Sequence, residues 1–321
     1  MTLNMINKLA ITFFIFLFCC RFCFAQSSKN QEPISIINDW SSQIVLAHIT
    51  GNILNSVGYK TKYSFSTINE QWGSLSQGID HVQIEVWEGT MATMFERVIK
   101  SGYVIDAGSH QATTREEWRY PTYVEQLCPG LPDWRALKKC SALFSIDGSN
   151  TGRYVAGPWE KSEAARIRTL GLNFEIDTVK QADDLWLELK SAIKQNSAIV
   201  LFNRSPNWVE AVYEGKFVEF PEYHIDCEID PKWGINPEFH YDCGNPKNCY
   251  LKKAVWSGLE DKWLCAFEII KNINFDNQNI SKVDYKKLGY DEAAKQWLNE
   301  NRSTWHQWIP ARCKVGNKLH G

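Results

Sequence analysis

Five tryptophans of this 321-residue chain stand where a predicted strand or loop ends, and they are its clearest candidates for binding chemistry. An indole face attracts a cation through the ring quadrupole. Several such faces around one cleft would bind a methylated ammonium, which hydrogen bonds cannot recognise because the group has no N–H to donate. The five residues are Trp40, Trp87, Trp118, Trp159 and Trp208.

The stretch from Pro33 to Leu54 indicates how one of these tryptophans would be positioned. The apolar run Ile34 to Ile37 predicts a strand, and the spacing of apolar residues after Ser41-Ser42 predicts a helix. Serine is a favoured N-cap, and a helix N-terminus attracts anionic groups. Trp40 would then hold the cationic end of a zwitterion whose anionic end faces the helix. A core role for Trp40 at the strand end is the open alternative.

The bulk composition limits the classes of function. A chain of this length with 44% hydrophobic residues can build one large or two medium domains. The formal net charge of -2 and the lack of a basic stripe argue against nucleic acid as a partner. Fourteen tryptophans are a heavy load, so several remain available for a ligand after a core is filled.

The N-terminus has the pattern of a signal peptide. Lys8 precedes the apolar run Leu9 to Cys20, which is too short to span a bilayer. We predict residues 1–25 to be a signal peptide cleaved near Ala25. An uncleaved anchor and a lipoprotein linked through Cys20 are the alternatives. We therefore expect an exported protein that is soluble after cleavage.

Cysteine usage agrees with export. Seven cysteines follow residue 25, and an oxidising compartment pairs most of its cysteines. Cys128 and Cys140 bracket a turn and a short helix, and we predict a disulfide between them. Cys227 and Cys243 bracket another loop. Because seven is odd, one thiol is left over or pairs between chains, and the remaining connectivity stays open.

The order of the predicted elements indicates the fold class. Strands and helices alternate as βαβαβ from residue 34 to about 107, which is typical of a parallel, doubly wound sheet. The polar stretch Ser109 to Tyr120 is predicted to be a loop, and a second βα series follows it. We therefore predict an α/β fold with two lobes around a central ligand cleft. Residues 26–120 form lobe 1, to which 252–321 return, and residues 121–251 form lobe 2.

The loop between residues 224 and 250 carries residue types that hold metals. Two histidines and two cysteines could form a tetrahedral zinc site, although an exported chain would pair these cysteines instead; they are His224, Cys227, His240 and Cys243. Acidic residues at this density could hold a structural calcium ion in the 226–242 loop or simply form a solvated loop; they are Asp226, Glu228, Asp230, Glu238 and Asp242. Apart from this calcium we expect no cofactor.

The chain has no HExxH, GxSxG or phosphate-binding motif and no evident nucleophile–base pair. We therefore predict that it is not an enzyme. A secreted metal-dependent enzyme that uses the loop of histidines, cysteines and aspartates is the remaining enzymatic alternative.

Six segments spread over nearly the whole mature chain together carry a specific resemblance. They are Asn38–Gln43, Glu85–Thr90, Cys128–Trp134, Pro206–Val209, Gly215–Glu222 and Asp242–Pro246. In them the chain resembles the substrate-binding proteins of the glycine betaine, choline and trimethylamine N-oxide ABC importers, and most closely the trimethylamine N-oxide branch. The resemblance implies a type II periplasmic binding protein fold. It also implies a receptor that encloses a methylated-amine zwitterion (trimethylamine N-oxide, glycine betaine or choline) in a tryptophan cage and delivers it to a permease.

The resemblance also implies which residues bind the ligand. Trp40 and Trp87 would be cage walls from the first lobe, and Trp159 the cage residue of the second lobe. Trp118 falls near a third aromatic residue of choline binders. Asn150 falls where those proteins place a polar ligand contact. We expect these residues to meet in one cleft.

Arg204 departs from the family pattern, which usually has a tryptophan at this position. A guanidinium facing the cage would repel a methylated ammonium, and it could instead bind a carboxylate, sulfonate or N-oxide oxygen. The alternative function is therefore a receptor of the same fold retuned by Arg204 for an organic anion or a sulfonium zwitterion. The open alternative is that Arg204 points outward and Trp208 moves into the gap.

The resemblance extends to the partners and the location of the protein. It implies a small-molecule ligand and an ABC permease in the inner membrane. We expect a monomeric periplasmic protein that binds no nucleic acid.

Overall fold

The computed structural model describes residues 32–159, 162–282 and 288–314. The predicted signal peptide, residues 1–25 with cleavage near Ala25, lies outside the described residues. Within the described ranges, no helix combines the length and the apolar character that crossing a membrane requires.

The first part of the chain alternates strands and helices as predicted. Strands β1, β2 and β3 are parallel and lie in the order β2-β1-β3, with Ile36 of β1 opposite Tyr63 on one side and Val82 on the other. Their residues form a parallel sheet because the connecting helices cover its faces. The elements are β1 Ile34–Asn38, α1 Ser41–Ser56, β2 Thr61–Phe65, α2 Gln71–Ser76, β3 Val82–Trp87 and α3 Glu88–Lys100.

Strand β4 corrects the prediction of a loop over residues 109–120. It runs without interruption from Val104 to Pro121. In its middle, buried His110, Ala112 and Thr114 alternate with exposed neighbours, which is the period of a strand with one covered face. Two of these three buried side chains are polar, so the alternation does not stand out as an apolar pattern in the sequence.

The next part of the chain forms the second βα series. Strand β6 is parallel to both β7 and β8, whereas β8 and β9 pair antiparallel with the last part of β4. The elements are α4 Val124–Leu127, β5 Pro129–Pro132, α5 Arg135–Cys140, β6 Gly152–Ala156, α6 Glu163–Thr169, β7 Phe174–Thr178, α7 Asp184–Gln195, β8 Val200–Ser205, α8 Trp208–Val212, β9 Gly215–Phe217 and α9 Asp226–Ile229.

The chain then returns to the first sheet. Strand β10 lies between β3 and β4 and is antiparallel to both. The helices predicted over 258–273 and 291–308 are each divided, at Trp263 and at Asn301. The elements are β10 Cys249–Trp256, α10 Leu259–Lys262, α11 Leu264–Asn272, α12 Asn277–Ser281, α13 Tyr290–Glu300 and α14 Arg302–Trp308.

One sheet therefore continues through both halves, in the order β2-β1-β3-β10-β4-β8-β6-β7, and it is mixed rather than all parallel. Its buried side chains divide into two hydrophobic cores. The first core takes residues from 34–112 and 251–313, and the second core takes residues from 118–220. Strand β4 passes between them, since it pairs with β10 up to Thr114 and with β8 from Arg115 onward. The lobe boundaries given from the sequence stay a prediction.

Three disulfides connect six of the seven cysteines that lie in the described ranges. The predicted Cys128–Cys140 bridge is confirmed. Cys227–Cys243 and Cys265–Cys313 are the other two. The Cys227–Cys243 bond corrects the zinc hypothesis, because disulfide sulfurs are not available as thiolate ligands. The buried thiol of Cys249 donates to the carbonyl oxygen of Pro246 at 3.4 Å.

His110 is a buried neutral imidazole whose two nitrogens both have roles. The Nε2–H donates to the carbonyl oxygen of Ile84 at 2.9 Å, and Nδ1 accepts the backbone N–H of Phe275 at 3.2 Å. Burial, together with nearby Lys253, lowers the pKa of His110 to about 3. Protonation therefore costs one of these hydrogen bonds and places a charge in the first core.

The stability of the protein is expected to fall on acidification through His110. Between pH 6.5 and 3 the unfolded chain binds a proton at His110 that the folded chain does not, so this contribution to stability is lost as the pH falls. Between pH 7 and pH 5, we expect the free energy of unfolding of the His110→Gln variant to fall by about 2 kcal/mol less than that of the wild type. Urea unfolding at the two pH values measures this difference. The same substitution at exposed His306 should leave the wild-type pH dependence intact, and equal slopes in all three proteins would contradict the assignment.

Candidate ligand-binding site

Three tryptophans and one arginine form a cluster between the two cores. The guanidinium carbon of Arg204 lies 4.9 Å from the ring centroid of Trp40, 5.4 Å from that of Trp87 and 4.0 Å from that of Trp159. We call these three indoles the cage. All four residues were predicted as site residues from the sequence, and the fold brings these four together.

Trp40 and Trp87 take their places from neighbouring parallel strands. Trp40 stands two residues after β1 with an extended backbone, and Trp87 is the last residue of β3. Because β1 and β3 run in the same direction, their carboxyl ends reach the same edge of the sheet. Both indoles are almost fully buried, with 5% of Trp40 and none of Trp87 exposed. The alternative that Trp40 belongs to the core is also satisfied in part, since it packs on the first core while facing Arg204.

The two serines after Trp40 do not cap helix α1, which corrects the prediction of a serine N-cap. Trp40 itself is the N-cap residue, and no side chain caps the helix. The Ser41 hydroxyl donates instead to Oδ1 of Asp183 at 3.1 Å, and the Ser42 hydroxyl donates to Oε2 of Glu85 at 3.0 Å. The serines therefore connect the helix start to two carboxylates.

Glu85 sets the orientation of the first two cage walls, and the sequence analysis did not single it out. Its Oε2 accepts the Trp40 Nε1–H at 2.5 Å and the Trp87 Nε1–H at 3.1 Å. Its other oxygen, Oε1, is buried, and no group in the described ranges forms a hydrogen bond with it. Burial raises the pKa of Glu85, whereas the two indole N–H groups, Ser42 and Arg204 act in the opposite direction. A carboxylate in the middle of a fully buried strand, two residues before Trp87 and so on the same face, was the signal in the sequence.

Trp159 and Arg204 come from the second series of strands. Trp159 follows β6 and packs on Phe202 at a centroid distance of 5.1 Å. Its ring lies so close to Gly157 that a Cβ at that position would be 1.8 Å from the indole, so only glycine fits. Arg204 belongs to β8 and pairs with Glu116 of β4. Because β6 and β8 are parallel neighbours, their carboxyl ends also meet at one edge.

The guanidinium of Arg204 is buried, and the charges of several nearby carboxylates act on it. Only 5% of Arg204 is exposed, and its Nη1 has no hydrogen-bond partner among the described residues. Burial lowers the pKa of Arg204, and four carboxylates oppose this shift: Glu116, Glu85, Asp39 and Asp183. The surroundings of the cage are therefore strongly negative, apart from the guanidinium itself.

Glu116 also joins the two cores. Its Oε1 accepts the Thr90 hydroxyl of helix α3 at 3.1 Å. A Cβ at Gly89 would lie 1.9 Å from Oε2 of Glu116, so the close approach requires glycine. The carboxylate thus lies against the first turn of α3, where the helix dipole stabilises negative charge.

A cavity of about 530 Å³ adjoins the cage. Trp40, Trp159, Asp39 and Asp183 are among the residues that line it. Burial raises the pKa of Asp39, and Arg204 acts in the opposite direction. This cavity connects the predicted site residues to residues of both halves of the chain, including Tyr290 near the C-terminus.

The structure does not bring Trp118 or Asn150 to the cage. Trp118 is fully buried in the second core, where it stacks on Tyr154 at 4.0 Å and donates its Nε1–H to Glu163. Asn150 is exposed and precedes the amino end of β6, whereas Trp159 follows the carboxyl end of that strand. Trp208, the fifth strand-end tryptophan, packs edge-on against Trp186 in place of facing the cage.

The acidic loop does not converge on a metal site in the described part of the chain. None of its five acidic residues, named above for calcium, shares a group of three ligand atoms within 4.8 Å of one another. The group that does meet this distance consists of Cys265, Glu268 and Cys313, and its two sulfurs are joined in a disulfide.

Comparison with known proteins gives a family and a relative. The family model for the substrate-binding domain of ABC-type glycine betaine transport systems (OpuAC) matches residues 34–300. The chain is also 35% identical over 297 residues to the trimethylamine N-oxide-binding protein of Pelagibacter ubique (strain HTCC1062). That alignment covers 88% of this chain and 92% of the relative.

Solved structures share the fold at lower identity. Lactococcal OpuAC complexed with glycine betaine has a TM-score of 0.65 at 17% identity, over 87% of this chain and 100% of that one. The glycine betaine/L-proline-binding protein ProX of Borrelia burgdorferi has a TM-score of 0.68 at 16% identity, over 88% and 98%. At these identities the likeness concerns the fold alone, and it confirms the predicted fold class.

Proposed function

Because the chain belongs to the family of substrate-binding domains of ABC-type glycine betaine transport systems, we propose that it binds a small methylated-amine zwitterion in the cage of Trp40, Trp87 and Trp159. It is a solute receptor of this transporter family and not an enzyme, and such receptors need no cofactor. The candidate ligands are trimethylamine N-oxide, glycine betaine and choline. The relative from Pelagibacter ubique carries the first of these in its name.

The observation that carries the proposal is the occupied cage. Three indole faces surround one desolvated cation, the Arg204 guanidinium, at centroid distances of 4.0–5.4 Å. A methylated ammonium at the same place would lie within the 6 Å range of a cation–π interaction with all three rings. The surrounding carboxylates add to the attraction, since Glu85, Glu116, Asp39 and Asp183 all act on this position.

We expect the two cores to act as lobes that close on the ligand. The cage takes Trp40 and Trp87 from the first and Trp159 from the second, and Ser41 reaches Asp183 across the same gap at 3.1 Å. A hinge motion that separates the cores would open the cage to solvent, and closure would exclude water and strengthen each cation–π interaction. The closed protein would then deliver the ligand to a permease on the outer face of the inner membrane.

A sulfonium zwitterion is the second candidate ligand. It offers a methylated sulfonium cation to the cage, and its anionic group could accept a hydrogen bond from Nη1 of Arg204, which has no partner among the described residues. A simple organic anion is disfavoured, because it would have to enter a site where four carboxylates surround a single guanidinium.

Titration calorimetry with trimethylamine N-oxide, glycine betaine, choline and a sulfonium zwitterion tests the proposal. The Trp159→Ala variant should lose about 30-fold in affinity for the bound amine, because a desolvated cation–π interaction contributes about 2 kcal/mol. Trp233→Ala is the matched control, since that indole is 37% exposed in the acidic loop, where it stacks on His224. Absence of binding to all four ligands, or equal losses in the two variants, would refute the proposed site.

A further inference from the structure

Arg204 stands where the ligand's cation would stand. Its guanidinium carbon is 4.0 Å from the Trp159 centroid and about as far from Trp40 and Trp87 as a bound ammonium would be. Because all three indoles already face the guanidinium, a methylated nitrogen cannot occupy the same place. A ligand can therefore enter the cage only when this side chain leaves it.

The guanidinium lies against the three cage faces, and one of its nitrogens is left without a hydrogen bond to the described residues. Its Nη1 is buried and has no hydrogen-bond partner in the part of the chain that the structure describes, although a guanidinium can donate five N–H bonds. Oε1 of Glu85 is likewise buried without a hydrogen-bond partner among the residues described. A buried polar group without a hydrogen bond lowers the stability of the folded state. A ligand group that supplies an acceptor to Arg204 would therefore stabilise an alternative position of the side chain.

That alternative position lies toward the cavity beside the cage. Asp39 and Asp183 are among the residues that line the cavity of about 530 Å³, and the charges of both act on Arg204. Ligand entry would therefore move the guanidinium from three indole faces toward two carboxylates and toward whatever anionic group the ligand carries.

We infer that Arg204 makes the cage selective for zwitterions over bare cations, an inference that rests on the proposed function. A zwitterion places its cation on the indoles and gives its anionic oxygen to the displaced guanidinium, so both charges find partners. A bare cation such as choline or tetramethylammonium displaces the same guanidinium, supplies no acceptor and repels it. Arg204 thus names the substrate class: compact methylated zwitterions, with choline excluded.

Two nearly isosteric probes isolate the anionic group. Trimethylamine N-oxide and tetramethylammonium differ by one oxygen in place of one methyl, and their affinities are measured by calorimetry on the full mature chain. We expect the wild type to bind the N-oxide at least 10-fold more tightly than tetramethylammonium. In Arg204→Ala this ratio should fall at least 10-fold, mainly because tetramethylammonium binds more tightly. An unchanged ratio, or a wild type that binds both probes equally, would overturn the inference.

A second variant tests whether the charge of Arg204, and not its size, sets the ratio, and a second probe tests whether the cage accepts a guanidinium. Arg204→Gln keeps most of the side-chain length without the charge, and it should shift the ratio in the same direction as Arg204→Ala. Guanidinium ion at low millimolar concentration should compete with tetramethylammonium in Arg204→Ala and not in the wild type, whose cage is already filled. Failure of guanidinium to bind Arg204→Ala would refute the occupancy of the cage by Arg204.

The same experiment separates the two proposals. If no methylated amine binds to either protein while guanidinium binds to Arg204→Ala, the proposed function is wrong and the cage still belongs to Arg204. If both methylated probes bind and the ratio of their affinities is the same with and without Arg204, the proposed function stands and the inference about selectivity is wrong.

Discussion

The Glu85→Gln variant is expected to bind its methylated amine about 100-fold more weakly than the wild-type protein. A carboxylate a few ångströms from a bound cation contributes about 3 kcal/mol at the effective dielectric constant of a protein site. The amide keeps the shape of the side chain and can still accept from an indole N–H, so the cage should persist while its negative floor is lost. Calorimetry at pH 7.5 measures the change, with melting temperature as the check on folding.

The pH dependence of binding gives the same residue a second signature. Burial raises the pKa of Glu85, so its carboxylate is protonated at a less acidic pH than that of an ordinary glutamate. Affinity should therefore fall as the pH drops through this raised pKa, and the Glu85→Gln variant should lack that fall. Glu300→Gln, on the exposed face of α13, is the matched control and should bind as the wild type does. If the Glu85→Gln variant bound the amine with wild-type affinity, Glu85 would have no part in ligand binding.

Removal of the Cys265–Cys313 disulfide is expected to cost about 4 kcal/mol of unfolding free energy. The bond closes a segment with a sequence separation of 48, the longest of the three, and a longer closed loop restricts the unfolded chain more. It holds the C-terminal segment against the start of α11 in the first core. The Cys265→Ser/Cys313→Ser double variant, unfolded in urea without reductant, measures the loss.

The Cys128–Cys140 bond provides the internal comparison. Its sequence separation is 12, for which the same chain-entropy argument gives about 3 kcal/mol. The Cys128→Ser/Cys140→Ser variant should therefore be the more stable of the two. Ligand affinity should be unchanged in the variant without Cys265 and Cys313, because neither residue contacts the cage. A reversed order of stability would show that native-state contacts outweigh loop closure.

Local pattern was sufficient for most of the fold. The alternation of apolar strands and amphipathic helices predicted β1, α1, β2, α2 and β3 to within a few residues, since each element buries its own apolar face. The Cys128–Cys140 bond followed from two cysteines around one compact turn. Pattern failed for β4, where buried His110 and Thr114 are stabilised by partners that the sequence does not reveal.

The site itself was only partly accessible to sequence reasoning. Trp40, Trp87, Trp159 and Arg204 were expected together and lie together. Trp118 was expected beside them, but it is fully buried in the second core, where its ring stacks on Tyr154. A tryptophan on a strand faces one side or the other according to its register, and the prediction of a loop over β4 removed the register.

What the sequence determined by itself is the set of groups: strand-end tryptophans, an arginine after a buried strand, a fold class and the cysteines that form the disulfides. What only the tertiary structure decided is how these groups meet. Glu85 takes both indole N–H groups on one oxygen, and the Arg204 guanidinium fills the cage that Trp40, Trp87 and Trp159 form. These contacts join residues from strands that are distant in the chain, and their geometry depends on strand order and register across two cores. Short-range sequence patterns report which face of an element is buried, but not which side chain of another element it will meet there.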